Sequence, residues 1–285
     1  MTVSNWTGWV GREQMVGDTI GHAPLRGLAA LLDRESDVKV GDPVRAGAHW
    51  LYFLPAARQA ELGEDGLPKR GGFLPPIDLP RRMWAGSRIA FSGILRVGDP
   101  VTLRSTIASV VPKEGRSGRM VFVTVQHDVT GPSGLAVREE QDIVYREASS
   151  KAAATSAGRS EAAKSDLPVE ARRIVVPATT LLFRFSALTF NSHRIHYDLP
   201  YATGVEGYPN LVVHGPLIAT LLLDLLQEKY AAPQVRTFRF RATEPLFVGT
   251  PFEIVRAPPV GGTVTLLALT PSGRPAMTAE AEMAT

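Results

Sequence analysis

Apolar and polar residues alternate along two pairs of runs in this chain. Met120–Val129 is followed by Ala136–Tyr145, and Val264–Leu269 by Ala276–Met283. Period-two patterning of this kind predicts half-buried strands. Between the members of the pairs stand Thr130-Gly131-Pro132-Ser133-Gly134 and Thr270-Pro271-Ser272-Gly273, whose turn-forming residues predict two hairpins. Upstream, Arg96-Val97-Gly98-Asp99-Pro100-Val101 parallels Phe247-Val248-Gly249-Thr250-Pro251-Phe252, each leading into another alternating run. Two markers in the same order predict an internal duplication, with a longer loop at Val111–Arg119 in the first copy.

Helical spacing is rarer. Gly215–Tyr230 carries leucines and alanines at helical intervals, with Pro216 in the first turn, where proline is tolerated. In the first half, Arg12–Arg34 is expected to contain a helical stretch broken by Gly17, Gly21 and Pro24, and Ala56–Leu62 a second short helix. A helix on a long antiparallel sheet, twice over, is an α+β architecture. Ala148–Leu167 has almost no large apolar residue and cannot offset its ordering entropy by burial. It is expected to be an exposed linker, with a solvated alanine-rich helix as the alternative. The division is then 1–147, linker 148–167, and 168–285.

Composition narrows the chemistry. With 285 residues, 44% hydrophobic and 21% charged, the chain is a globular protein with a real core. A net charge of +3 is not the footprint of a nucleic-acid binder. The absence of cysteine excludes disulfides, thiolate metal sites and cysteine nucleophiles. No apolar run approaches the roughly 18–20 residues of a membrane span, and Met1–Trp6 lacks a signal-peptide pattern, so a cytoplasmic protein without a membrane partner is expected. Neither a Gly-x-Gly-x-x-Gly or Walker loop nor a Gly-x-Ser-x-Gly elbow is present.

Candidate chemistry concentrates in Phe190-Asn191-Ser192-His193-Arg194-Ile195-His196-Tyr197-Asp198 and in Val213-His214-Gly215-Pro216-Leu217. Three of the six histidines fall between 193 and 214. His193-x-x-His196-x-Asp198 has ligand atoms but lacks the i, i+4 spacing of a helical metal pair, so no metal is expected.

Residues 191–202 resemble the motif of the MaoC-like hot-dog enoyl-CoA hydratases, Asp-x-Asn-Pro-(aliphatic)-His-x-Asp followed by alanine. Ile195, His196, Asp198 and Ala202 fall in register, and His214-Gly215 matches the His-Gly opening the family's central helix. Together with Pro80-Arg81-Arg82-Met83-Trp84-Ala85-Gly86-Ser87, the whole chain looks like the mesaconyl-CoA/itaconyl-CoA hydratase and hydroxyacyl-thioester dehydratase branch. The resemblance implies a double hot-dog fold, an antiparallel sheet wrapped on a central helix in each half, with the motif in the second. It implies reversible hydration of a 2-enoyl-CoA to a 3-hydroxyacyl-CoA, with coenzyme A as part of the substrate and no further cofactor. Departures stand at Asn191 for aspartate, His193 for asparagine and Arg194 for proline.

Water addition to a thioester-conjugated double bond needs a base and a stabilised enolate. An imidazole suits the first task near neutral pH, assigned to His196, with Asn191 positioning the water. Backbone N–H groups at a helix start suit the second, and Gly215 is the expected donor. Arg184, His193, Arg194 and His214 are expected substrate contacts, the arginines and His193 favouring a branched C5 dicarboxylyl chain, mesaconyl or itaconyl, that yields citramalyl-CoA. Arg81, Arg82 and Arg88 are expected at the coenzyme A phosphates. A homodimer is reasonable for such a sheet. Two rival readings share the fold: a hot-dog acyl-CoA thioesterase and a non-catalytic acyl-CoA-binding module.

Overall fold

In a computed structural model of the chain, which describes residues 6–115, 118–147, 166–231 and 234–284, the alternating runs form one ten-stranded antiparallel sheet. The first half supplies β1 (Glu13–Thr19), β2 (Arg81–Phe91), β3 (Pro100–Gly115), β4 (Gly118–Gly131) and β5 (Gly134–Arg146). The second supplies β6 (Ala171–Val175), β7 (Val235–Ala242), β8 (Phe252–Arg256), β9 (Thr263–Leu269) and β10 (Pro275–Met283). The order is β1-β3-β4-β5-β2-β7-β10-β9-β8-β6. Read from either edge it runs first, third, fourth, fifth, second strand of a half. The duplication is therefore a property of the topology, and β2 joins β7 at its centre, with Ser87 opposite Phe240.

Both Pro-Ser-Gly segments close hairpins, β4–β5 and β9–β10, as their turn chemistry predicts. The Gly-x-Pro elements are equivalent down to their hydrogen bonds. Gly98 and Gly249, at φ of 97° and 77°, donate to Ile20 and Pro177, each at 2.8 Å and each just beyond the first strand of its half. The stretch Val111–Arg119 is not a long loop. β3 and β4 continue through it as paired strands to Gly115 opposite Gly118, so the extra length extends the ladder.

Two further expectations need correction. Glu13–Thr19, inside the segment read as helical, is an edge strand bonded to β3, and only His22–Leu31 forms helix α1. Every residue of β1 is exposed, so no burial pattern marks it; its backbone pairing alone makes the strand. Ala56–Leu62 holds only a 3-10 turn at Gln59–Glu61. The interval 148–165, where most of the expected linker falls, lies outside the described residues.

The core gathers around the second-half helix α4 (Gly215–Gln227), numbered after α2 (Thr179–Leu188) and α3 (Leu199–Gly204). Every residue of α4 from Leu217 to Leu226 except Thr220 is buried. A helix apolar on all sides is a core helix, here packed on β8, β9, β10 and β2. Its one buried charge, Asp224, accepts from Arg34 at 2.7 Å, Arg45 at 2.9 Å and Arg173 at 3.0 Å. Burial would raise that carboxyl, but the three guanidiniums hold it below the ordinary carboxylate value. In the first half, the interval between α1 and β2 contains in place of such a helix only two 3-10 turns, Ala48–Leu51 and Gln59–Glu61.

Candidate active site

The histidine-rich segment starts where α2 stops. Asn191 N–H reaches back to Ser186 O at 2.8 Å and Phe190 takes φ of 48°, the reversal of a helix C-terminus completed by a left-handed residue. Such a conformation is costly for phenylalanine and marks a constrained point in the chain. Asn191 Oδ1 then accepts from His193 N–H at 3.0 Å, an Asx turn. Arg194–His196 forms a 3-10 turn, and Asp198 caps α3 by accepting from Tyr201 N–H at 3.1 Å.

The first half grips this segment. Arg194 N–H donates to Asp65 O at 2.9 Å, and its Nη1 to Glu64 O at 3.0 Å. Ser192 Oγ donates to Gly66 O. Gly66 sits at φ +83°, and a Cβ there would collide with the Ser192 carbonyl. Only glycine combines that backbone with so close an approach.

Three imidazoles meet behind the turn. The His196 and His214 rings stack at 3.5 Å between centroids, and His193 meets His196 edge-on at 5.5 Å. His196 Nδ1 lies 2.7 Å from the Val212 carbonyl. A carbonyl only accepts, so the proton is on Nδ1 and Nε2 carries the lone pair. Among the described residues Nε2 has no hydrogen-bond partner, and the side chain keeps a 7% opening to solvent. His214 is fully buried, its Nε2 2.8 Å from Ser186 Oγ and its Nδ1 without a partner. Burial, followed by the charge of His193, pushes His196 down to about 3. Burial, followed by Arg82, pushes His193 to about 4. Burial also holds His214 well below the ordinary imidazole value. All three rings are neutral at physiological pH.

Gly215 opens α4 directly after His214. Its N–H finds no acceptor among the described residues, since the first helical bond runs from Ile218 to His214 O. A Cβ at Gly215 would stand 3.7 Å from the Trp84 carbonyl, an ordinary contact. The protein alone therefore does not demand glycine there, and β2 passes across the helix start.

The expected arginines divide. Arg194 is engaged by Asp198 at 2.7 and 2.9 Å and lies over Tyr201; it braces the turn, with all three of its guanidinium nitrogens already donating within the protein and its charge paired. Arg81, 6% exposed, pairs with Glu206 at 3.1 Å, tying β2 to the chain beyond α3 rather than meeting a phosphate. Arg88 is bound by Glu140 and Asp142. Arg184 lies on the exposed face of α2, half a turn away from Ser186, and is not brought to the imidazoles. Arg82 instead donates to the Pro68 carbonyl at 3.5 Å, just beyond the Asp65-Gly66 turn that holds the histidine-rich segment, and its charge adds to the lowering of His193. Gly66, Ser186, Val212 and Glu206 complete the site and were not anticipated. The Asp65-Gly66 pair does signal a turn, but nothing local says what the turn touches.

Comparison with known proteins adds three findings. The profile of the hydroxyacyl-thioester dehydratase type 2 family matches residues 47–248. The chain is 45% identical, over 99% of each sequence, to a mesaconyl-C(4)-CoA hydratase of Chloroflexus aurantiacus. Its fold resembles HtdX of Mycobacterium tuberculosis, with a TM-score of 0.68 at 17% identity over 94% of this chain and 98% of that one. It also resembles a second M. tuberculosis protein described as a double hot-dog, with a TM-score of 0.56 at 14% identity over 96% of each. The fold is a double hot-dog.

Proposed function

The chain belongs to the hydroxyacyl-thioester dehydratase type 2 family, and from that membership we propose that it is a hydro-lyase adding water reversibly across the double bond of a 2-enoyl-CoA. The substrate we assign is a branched C5 dicarboxylyl-CoA, mesaconyl-C4-CoA, whose double bond is conjugated with the thioester, giving citramalyl-CoA. The observation that carries the reading is the tautomer of His196. Its Nδ1 proton is held by Val212 O, so Nε2 is a bare base beside the N-terminus of α4.

In the hydration direction His196 Nε2 takes a proton from water as its oxygen bonds to the β-carbon. The electron pair of the double bond moves onto the thioester oxygen, where the Gly215 N–H and the positive end of α4 stabilise it without reorganising. The imidazolium then returns a proton to the α-carbon, so one water is added and the enzyme is restored. The Asn191 amide nitrogen orients the water while its oxygen serves the Asx turn. His214 keeps the His196 ring in plane by stacking. Only protons and hydroxide move, so the route calls for no cofactor beyond the coenzyme A of the substrate.

No helix among the described residues is long and apolar enough to cross a membrane; we assign the protein to the cytoplasm. Exposed Ile174, Val176 and Phe183 on and near the edge strand β6 support a homodimer. The test is incubation with crotonyl-, mesaconyl-C4- and itaconyl-CoA while following enoyl absorbance and free thiol. Loss of the enoyl band without thiol is the expected result. Thiol release would make the protein a thioesterase, and tight binding without either change an acyl-CoA-binding module.

A further inference from the structure

The concave face of β2 carries one more group towards the imidazoles. Met83 is 37% exposed while Arg82 and Trp84 on either side are half-buried. Strand alternation puts Arg82 and Trp84 on one face of the strand, the face whose Trp84 ring packs against Trp50 and Phe240. The Trp84 carbonyl marks where that face meets the start of α4, and Arg82 lies two residues away. Directly opposite Arg82, in register on β5, stands Tyr145. Tyr145 is 0% exposed, and its phenol oxygen, with no partner at full hydrogen-bond geometry among the described residues, has the Arg82 guanidinium as a polar neighbour. Buried hydroxyls are nearly always paired, so one left unsatisfied beside a guanidinium points to an anionic ligand that both would meet.

Arg82 differs from its neighbours. Arg81, Arg88 and Arg194 are all bound by carboxylates, whereas Arg82 meets the Pro68 carbonyl at 3.5 Å, the limit of a hydrogen bond. Pro68 follows the Asp65-Gly66 turn that grips Ser192 and Arg194, so this guanidinium is anchored beside the catalytic loop. Its charge also contributes to holding His193 low.

We propose that Arg82 and Tyr145, with His193 at the rim, form the subsite for the free carboxylate of the acyl chain, and that this pair makes the enzyme select a dicarboxylyl-CoA over a fatty enoyl-CoA. In mesaconyl-C4-CoA that carboxylate sits on the carbon that receives the hydroxyl. It must therefore lie one bond from the carbon attacked by the water that His196 activates, and the His193 ring meets His196 edge-on at 5.5 Å. A guanidinium donates to both carboxylate oxygens, and the tyrosine hydroxyl adds a third donor. Arg82 thus reads the acyl end of the substrate and not the phosphates of coenzyme A.

The inference rests on the hydratase reading, and one set of assays separates the two. Wild type, Arg82→Gln and Tyr145→Phe are each assayed with mesaconyl-C4-CoA and with crotonyl-CoA, which lacks the carboxylate. The quantity read is the ratio of kcat/KM for the first substrate over the second. Arg82→Gln is expected to lower this ratio by about 100-fold and Tyr145→Phe by about 10-fold, as loss of a charge-assisted and of a neutral contact should. Parallel losses on both substrates, or no change in the ratio, would overturn the subsite. Should Arg82→Gln unfold, judged by thermal melting, the milder Tyr145→Phe decides by the same ratio. A wild type that hydrates crotonyl-CoA but not mesaconyl-C4-CoA removes the subsite and leaves the hydratase standing. A wild type that hydrates neither removes both.

Discussion

The protonation state of His196 decides whether the proposed reaction can start, and its burial sets a measurable pH dependence. Burial, aided by the neighbouring His193, pushes its imidazole down to about 3. The pH profile of kcat/KM reports the free enzyme. An imidazole at the ordinary value near 6.5 would be only about 3% neutral at pH 5, which would cost about 30-fold in rate. One held near 3 is still about 99% neutral there. We therefore expect kcat/KM for mesaconyl-C4-CoA to change less than about two-fold between roughly pH 8 and pH 5. Stability moves over the same range. Unfolded histidines take up protons near pH 6.5 while these folded ones do not, so the unfolded state gains protons first and stability falls as the pH drops. For His193 the window runs from there down to about 4, and for His196 down to about 3. Melting at each pH should accompany the rates, so that lost activity is normalised to folded protein. An acid limb in the normalised kcat/KM with its midpoint near 6.5 would refute a buried, neutral base.

Replacing His196 with glutamine should lower kcat by about 100-fold or more with little change in melting temperature, and a near-normal turnover would remove the base. Gly66→Ala forces the Asp65-Gly66 turn and the Ser192 carbonyl apart by on the order of 1 Å and adds about 1–2 kcal/mol of left-handed strain. Turnover should fall by about 100-fold although residue 66 touches no substrate; wild-type kinetics in a folded Gly66→Ala protein would contradict the grip of the first half on the motif. Asp224→Ala leaves Arg34, Arg45 and Arg173 without their shared carboxylate, itself 1% exposed. Urea unfolding should register a loss of about 3–5 kcal/mol, and a loss under 1 kcal/mol would show that the cluster is not coupled to folding.

What was legible in the sequence is what is settled within a few residues. The hairpins are closed by contiguous turns, and alternate residues from Val121 to Val125 of β4 are buried, so there pattern and fold coincide. α4 was legible because nearly all of it is core. β1 was not: all its side chains are in water, and its partner β3 begins about eighty residues later in the chain. In the site, His193, His196, His214 and Gly215 lie close in sequence and meet in space. The arginines show the boundary. Arg82 and Arg194 are equivalent as residue types, yet Asp198 four residues on absorbs Arg194. Arg82 stays available because strand register places it opposite Tyr145. A charge is found by reading the chain; its partner is found only when distant strands are aligned.

The asymmetry between the duplicated halves follows from how α4 is used. Its C-terminal part is fastened by guanidiniums, two of them from the first half, and cations there also complement the helix dipole. Its N-terminal turn has the opposite treatment: Pro216 brings no N–H, and no protein acceptor among the described residues competes for that of Gly215. A second long helix in the first half would have required its own core and its own anchored end. The one-turn Ala48–Leu51 segment instead carries His49 and Trp50 onto buried Glu139 at 3.0 and 2.9 Å, a carboxylate that Ser87 Oγ also donates to. That half is then free to act as a frame, lending β2 and the Asp65-Gly66 turn to its partner. The division also separates the expected defects. Asp224→Ala should lower stability while folded molecules keep their turnover, whereas Gly66→Ala should lose turnover even in molecules that fold despite its strain, because one loosens the fixed end of α4 and the other misplaces the loop that serves its open end.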